Sequence, residues 1–136
     1  RKALMEGFEA RGLLDSVTFT GGIDEGTKNK LLRQSRLGLS LSFEEGWGLS
    51  VTEFLAAGLP VVAYELPVFK ELFADVLHFA PMKSKLQAAQ VVLSLLDDSD
   101  KMERSGINGK IHARKFKYQE VAQQELQLIE QLSSEN

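Results

Sequence analysis

A glycine-rich loop between residues 42 and 53 holds the residue types best suited to chemistry in this chain. Gly46 and Gly48 permit positive φ angles and let the backbone approach a ligand closely. The residues that follow predict a helix, whose first N–H groups and positive dipole end offer a site for an anion such as a diphosphate. Glu45 and Glu53 flank this site, and a carboxylate can accept two hydrogen bonds from a vicinal diol such as a ribose.

The same loop also permits interpretations that involve no ligand. Ser50 and Glu53 have the spacing of a capping box, in which the two side chains satisfy the first backbone N–H groups of a helix. The segment 46–48 fits a plain turn closed by an aromatic plug. Glu44 and Glu45 can be interpreted as ordinary solvated charges in a turn. Spacing alone leaves these alternatives open.

Short apolar segments alternate with helical patterns on both sides of the loop. The predicted strands are 17–20, 37–42, 60–64 and 76–79. The predicted helices are 4–12, 24–34, 50–57, 69–73, 85–96, 101–115 with a break near 106–109, and 119–132. This alternation predicts one α/β domain over residues 1–136, a Rossmann-like, three-layer fold in which helices flank a parallel sheet, with a helical C-terminal tail. Ligands of such sheets collect at the carboxyl ends of the strands, where Gly21, Gly22 and the loop lie.

Composition excludes several functional classes. The chain has 136 residues, no cysteine and a formal net charge of −3, which argues against nucleic-acid binding and excludes disulfides and cysteine-ligated metals. Neither a membrane-spanning stretch nor a signal peptide is visible, so a cytoplasmic location is the default. The chain opens with Arg1 inside a helical pattern, and we therefore expect it to be a piece of a longer protein.

Three further side chains have two interpretations each. Glu71 ends the segment 67–71, and an ordinary helix-surface role is favoured for it over a site role. His78 lies in an apolar strand, where a satisfied core or edge residue is favoured over a ligand-binding one. His112 lies among basic residues, which suggests either a phosphate or membrane contact or, in the interpretation we favour, a solvated helix end.

Residues 42–63 resemble the signature of the large family of retaining glycosyltransferases that includes sucrose synthases and many bacterial mannosyl- and glucosyltransferases. The resemblance lies in EGWGL at 45–49 followed by EFLAAGLPVVA at 53–63, with two glutamates at the family's spacing. Residues 17–23 are similar to the family's strand and turn VxFxGxV, and residues 113–122 to its closing AxxFSWxxVA segment. The resemblance implies the C-terminal half of a GT-B fold, the two-domain architecture of these enzymes.

The resemblance also implies a role for each matched residue. Glu53 would hold the ribose hydroxyls of the nucleotide, and Glu45, the implied catalytic residue, would lie beside the donor sugar. The sugar and diphosphate would be contacted by backbone amides of Gly46, Trp47, Gly48, Leu49 and Ser50. Gly22 and Ile23 would frame the base. No metal and no cofactor are expected, because amides, the helix dipole and basic side chains stabilise the departing diphosphate.

The implied function is binding of the nucleotide-sugar donor in a retaining hexosyltransferase whose acceptor is a saccharide or a lipid-linked compound. The alternatives are a catalytically silent Rossmann-like assembly module and part of a nucleotide-sugar epimerase. The family's diphosphate-binding arginine and lysine find no match before Val17. We therefore expect this chain to begin after that motif in a longer parent protein. Its expected partner is an N-terminal Rossmann domain of the same parent chain, and we expect no catalysis by these residues alone. Peripheral membrane contact of the full enzyme is a further alternative, although no feature of this sequence indicates it.

Overall fold

The structure is a computed structural model that describes residues 2–116 together with Gln123, Leu126, Gln127, Glu130 and Gln131. The predicted closing helix, 119–132, therefore lies outside the described residues except at those five positions. The chain divides into two compact units, residues 1–31 and 32–136. Within the part of the chain that is described, no helix is long and apolar enough to cross a membrane.

The first unit contains α1 (Lys2–Glu9), a turn of 3-10 helix (Leu14–Ser16) and the beginning of α2 (Glu25–Gln34). Phe8 packs against Phe19 in an edge-to-face contact, with 6.1 Å between ring centroids. Asp24 caps α2, because its carboxylate accepts hydrogen bonds from the Thr27 backbone N–H (2.9 Å) and hydroxyl (2.8 Å). These bonds, the backbone one first, lower the pKa of Asp24.

The predicted strand at 17–20 is wrong. Val17 has extended backbone angles, φ −129° and ψ 127°, but residues 17–20 pair with no strand among the described residues. An alternating pattern predicts an extended segment, whereas a strand also needs a neighbour that completes its ladder of hydrogen bonds.

The second unit is built on a parallel sheet in the order β1-β2-β3. Its strands are β1 (Gly38–Ser40), β2 (Val61–Tyr64) and β3 (Leu77–Ala80), and its helices after α2 are α3 (Leu49–Ala56), α4 (Pro67–Phe73), α5 (Lys85–Leu96) and α6 (Ser99–Ala113). Val61 and Ala63 of β2 belong to a core shared with α3, α4 and α6, while Tyr64 belongs to a second core shared with α5. Both faces of the sheet are thus covered, which confirms the predicted α/β class.

A close crossing of two helices fixes α3 in place. A Cβ atom added at Gly106 of α6 would collide with the backbone carbonyl of Gly58, and one added at Gly109 would lie 2.7 Å from Leu55 Cδ2. The predicted break near 106–109 is therefore wrong: α6 is continuous over Ser99–Ala113, and its glycines serve packing.

His78 is a satisfied, half-buried residue, as its apolar strand predicts. Its Nε2 lies 2.8 Å from the Ser105 hydroxyl, which connects β3 to α6. Burial first, and the nearby charge of Lys101 second, lower the pKa of His78 from its ordinary value of 6.5.

His78 should make the folded protein less stable as the pH is lowered. Below about pH 6.5 the unfolded chain takes up a proton at this ring that the folded chain resists, so the free energy of unfolding decreases until the lowered pKa is reached. Melting temperatures of wild type and His78→Gln at neutral and mildly acidic pH measure the effect. The variant should lose less stability on acidification than wild type, and equal losses would contradict the prediction.

Candidate functional site

The loop that follows β1 ends at a glycine that the fold requires. Gly48 is the N-cap of α3 and has a left-handed backbone, with φ 91° and ψ 48°. It is buried, and a Cβ atom at this position would lie 2.6 Å from Cε1 of Phe69. The role predicted for Gly48 is to let a ligand come close to the backbone. The structure shows a second reason for a glycine, because the residue packs against the core.

The capping-box interpretation of Ser50 and Glu53 is wrong. The helix begins at Leu49, so Ser50 lies inside its first turn, and the N-cap is Gly48. No side chain from the described part of the protein caps this helix start. The first N–H groups of α3 therefore retain the capacity to bind an anion that a capping box would have used.

The two glutamates differ in their surroundings but neither is enclosed in the core. Glu53 is exposed on α3, whereas its neighbour Thr52 is buried, with its hydroxyl 3.3 Å from the Gly48 carbonyl oxygen that accepts its hydrogen bond. Glu45 is half-buried within the loop. The outward position of Glu53 is the one that binding of a diol would need.

Trp47 anchors the loop to the end of α6. Its ring meets Phe116 edge-to-face, at 5.4 Å between centroids and an interplanar angle of 84°. Phe116 in turn packs edge-to-face on Phe73, at 5.5 Å. Trp47 nevertheless keeps 43% of its surface exposed, so it both plugs the turn and leaves a face towards solvent.

His112 belongs to the same aromatic cluster. Its Nε2 lies 2.8 Å from the Leu72 carbonyl oxygen, which can only accept, so the Nε2 atom carries the hydrogen and donates it. The ring packs between Phe73 and Phe116, at 5.9 and 5.5 Å. The favoured interpretation of His112 as a solvated helix end is therefore wrong, because its half-buried ring joins α6 to the end of α4.

Two residues that the sequence did not single out lie in the loop or beside it. The ring of Phe43 stacks on that of Tyr64, at 5.9 Å and 10° between planes. The Lys83 ammonium lies 6.0 Å from the centroid of the Phe43 ring, and Lys83 itself has a positive φ of 64°. Both follow strands of one parallel sheet, so the rule that such loops gather at its carboxyl edge could have found them.

The remaining predicted site residues are at or near the protein surface. Gly46, Leu49 and Ser50 are exposed around the start of α3. Gly22 and Ile23 are exposed in the first unit, and their relation to the loop stays a prediction.

The segment 67–71 is helical and opens α4. Glu71 is exposed there, and both of its interpretations remain. Before this helix, Glu65 pairs with Lys70 at 2.8 Å. No group of three histidine, cysteine or acidic side chains that could hold a metal occurs in the described ranges, and the metal-free site stays a prediction.

A parallel α/β unit, with a glycine-hinged loop and helix start at the carboxyl edge of its sheet, has the form of a Rossmann-like domain. The family described as "Glycosyl transferases group 1" matches residues 1–112, and the chain belongs to this family. This confirms the resemblance seen in the sequence.

Two proteins of known name are similar to the chain, and the second shows that its fold is that of a GT-B domain. It is 27% identical over 129 residues to a phosphatidyl-myo-inositol mannosyltransferase of Mycobacterium leprae (strain TN), an alignment that covers 93% of this chain and 34% of the relative. It is similar in fold to a sucrose-phosphate synthase from Thermosynechococcus elongatus, with a TM-score of 0.90, 23% identity, and coverage of 99% of this chain and 35% of the synthase. The chain thus spans about a third of the length of either protein.

Proposed function

We propose that this chain binds the nucleotide-sugar donor of a retaining glycosyltransferase that moves a hexose to a saccharide or a lipid-linked acceptor. The observation that carries the proposal is the start of α3, where a left-handed Gly48 opens an exposed helix terminus beside the outward-facing Glu53. Membership of the group 1 family supports transfer over the silent-module and epimerase hypotheses.

In this proposal each end of the donor has its own partners. The diphosphate lies against backbone N–H groups of residues 46–50, where the helix dipole stabilises the negative charge of the leaving group as the sugar is transferred. Glu53 accepts hydrogen bonds from the two ribose hydroxyls, and Glu45 holds the donor sugar beside the reacting carbon. Gly22 and Ile23 frame the base. No metal takes part.

The proposal includes a partner and a location. The acceptor is bound by an N-terminal Rossmann domain of a longer parent chain, in keeping with the one-third coverage of the two relatives. The cytoplasm is the proposed location, in keeping with a chain that contains no cysteine. No nucleic acid takes part, in keeping with the net charge of −3.

Nucleotide binding should depend on Glu53. The melting temperature is measured while UDP, GDP and ADP are titrated into wild type and Glu53→Ala, which places the residue of highest helix propensity at an exposed helical position. Hydrogen bonds to a charged acceptor contribute about 1.5–3 kcal/mol, so the variant should bind its nucleotide about tenfold more weakly or worse. Glu103→Ala, also exposed on a helix, is the matched control and should bind like wild type. Equal affinities of all three proteins would refute the ribose role of Glu53.

A further inference from the structure

Two consecutive residues of the glycine-rich loop are held by aromatic rings from different parts of the fold. The ring of Trp47 meets that of Phe116, whose backbone N–H donates to the Ala113 carbonyl oxygen at the end of α6 (3.1 Å). The next residue, Gly48, lies so close to Phe69 of α4 that a Cβ atom would be 2.6 Å from that ring. The end of the loop is therefore fixed from α4 and from the end of α6.

Both contacts depend on one buried ring. Phe73 is fully buried at the end of α4 and packs edge-to-face on Phe69, at 6.1 Å between centroids, and on Phe116, at 5.5 Å. His112 packs against Phe73 and Phe116, and its hydrogen bond to the Leu72 carbonyl oxygen connects α6 to α4. We call Phe69, Phe73, His112 and Phe116 the aromatic clamp.

The clamp acts on the part of the loop that precedes α3. Around Gly46 there is open space, because a Cβ atom there would meet nothing within 4 Å. Trp47 keeps 43% of its surface exposed, so its contact with Phe116 matters more for the position of the loop than for the size of the core. A loop without this contact would sample several conformations, and a ligand that binds one of them would bind more weakly.

We propose that the aromatic clamp positions the glycine-rich loop for a nucleotide diphosphate. Phe116 and His112 are positioning residues in this proposal: they act through Trp47 and the loop backbone rather than by contact with the ligand. The inference rests on the proposed function, because it concerns the same N–H groups of residues 46–50. A loop that is held in place before the ligand arrives loses little conformational freedom on binding, which favours affinity.

The fluorescence of Trp47 makes the test specific, since the chain contains a single tryptophan. Phe116→Ala should shift the emission of Trp47 to longer wavelength and increase its quenching by acrylamide, because the indole loses its partner ring and gains contact with water. The dissociation constant of UDP, GDP or ADP, whichever binds wild type, is measured from amide chemical shifts. It should rise about three- to tenfold, the population shift that loss of one aromatic pair permits.

Conservative variants distinguish positioning from general stability. Phe116→Tyr keeps the ring and should retain the emission and the affinity of wild type. His112→Ala removes a ring of the clamp and should weaken nucleotide binding by a smaller factor. Leu95→Val is the matched control, because it reduces a fully buried side chain of α5 that lies outside the clamp. It should lower the melting temperature and leave both the emission and the affinity unchanged.

The results separate failure of this inference from failure of the proposed function. If wild type binds none of the three nucleotides, the proposed function and the inference fail together. If wild type binds but Phe116→Ala binds equally well, or leaves the emission of Trp47 unchanged, only the inference is overturned. An equal loss of affinity in Leu95→Val would also overturn it. Phe116→Leu keeps an apolar side chain without the ring and decides the matter if Phe116→Ala does not fold.

Discussion

Gly106→Val is expected to destabilise the protein by about 3 kcal/mol or more. A Cβ atom at this position meets the backbone carbonyl of Gly58, which lies in the left-handed turn that ends α3 and cannot move aside as a side chain could. The helices must then separate, and the core that α6 shares with α3 and the sheet loses contacts. Urea unfolding followed by circular dichroism measures the change.

The same helix supplies the controls for this prediction. Asn108→Val changes an exposed residue to one of similar helix propensity and should stay within about 0.5 kcal/mol of wild type. Gly109→Val should fall between the two, because the atom that its Cβ meets is the end of the Leu55 side chain. If Gly106→Val were as stable as Asn108→Val, the close crossing of α3 and α6 would be wrong.

Gly48→Ala is expected to cost about 2–4 kcal/mol of stability. Two effects add: alanine at φ 91° is strained, and its methyl group lies 2.6 Å from an edge carbon of the fully buried Phe69. A loss of nucleotide binding in this variant would thus be ambiguous, because the loop itself would shift. Thermal and urea unfolding in the absence of nucleotide isolate the structural part.

Gly46→Ala separates binding from stability in the same loop. A Cβ atom at Gly46 meets nothing within 4 Å, and Gly46 is not among the glycines with positive φ, so stability should change by no more than about 0.5 kcal/mol. If residues 46–50 contact a diphosphate, the added methyl group should weaken nucleotide binding instead. Comparable losses of stability in Gly46→Ala and Gly48→Ala would contradict this division.

The parts of the fold that the sequence predicted well are those that local chemistry determines. The helix 85–96 agrees at both ends, and the helix before Gly58 ends where that glycine, with φ 80°, turns the chain. The strand 60–64 is recognisable because a central parallel strand is apolar on both faces. In each case the signal lies within a few residues of the feature.

The errors concern features that depend on distant residues. The strand at 17–20 needs a pairing partner that its own pattern cannot supply. Gly106 has the composition of a helix break, yet its role is set by the carbonyl of Gly58, far away in sequence. His112 acquires its partners only when α4 and α6 meet.

The candidate site divides in the same way. Glu53 and Gly48 could be named as candidates because a glycine-hinged loop before a helix is a local pattern, and their part in binding stays a prediction. The stacking of Phe43 on Tyr64, and the ammonium of Lys83 near it, arise only when the strand ends come together. The capping-box interpretation is wrong because the N-cap of α3 is the left-handed Gly48 and not Ser50.

Amide chemical shifts during a nucleotide titration test the central claim most directly, because the claim concerns particular backbone N–H groups. With UDP, GDP or ADP, whichever binds, we expect saturable shifts concentrated at Gly46, Trp47, Gly48, Leu49 and Ser50. Amides of α5 should stay unchanged, and inorganic pyrophosphate should reproduce part of the pattern. Saturable shifts centred away from the start of α3, or none with any of the three nucleotides, would contradict a diphosphate site at this helix.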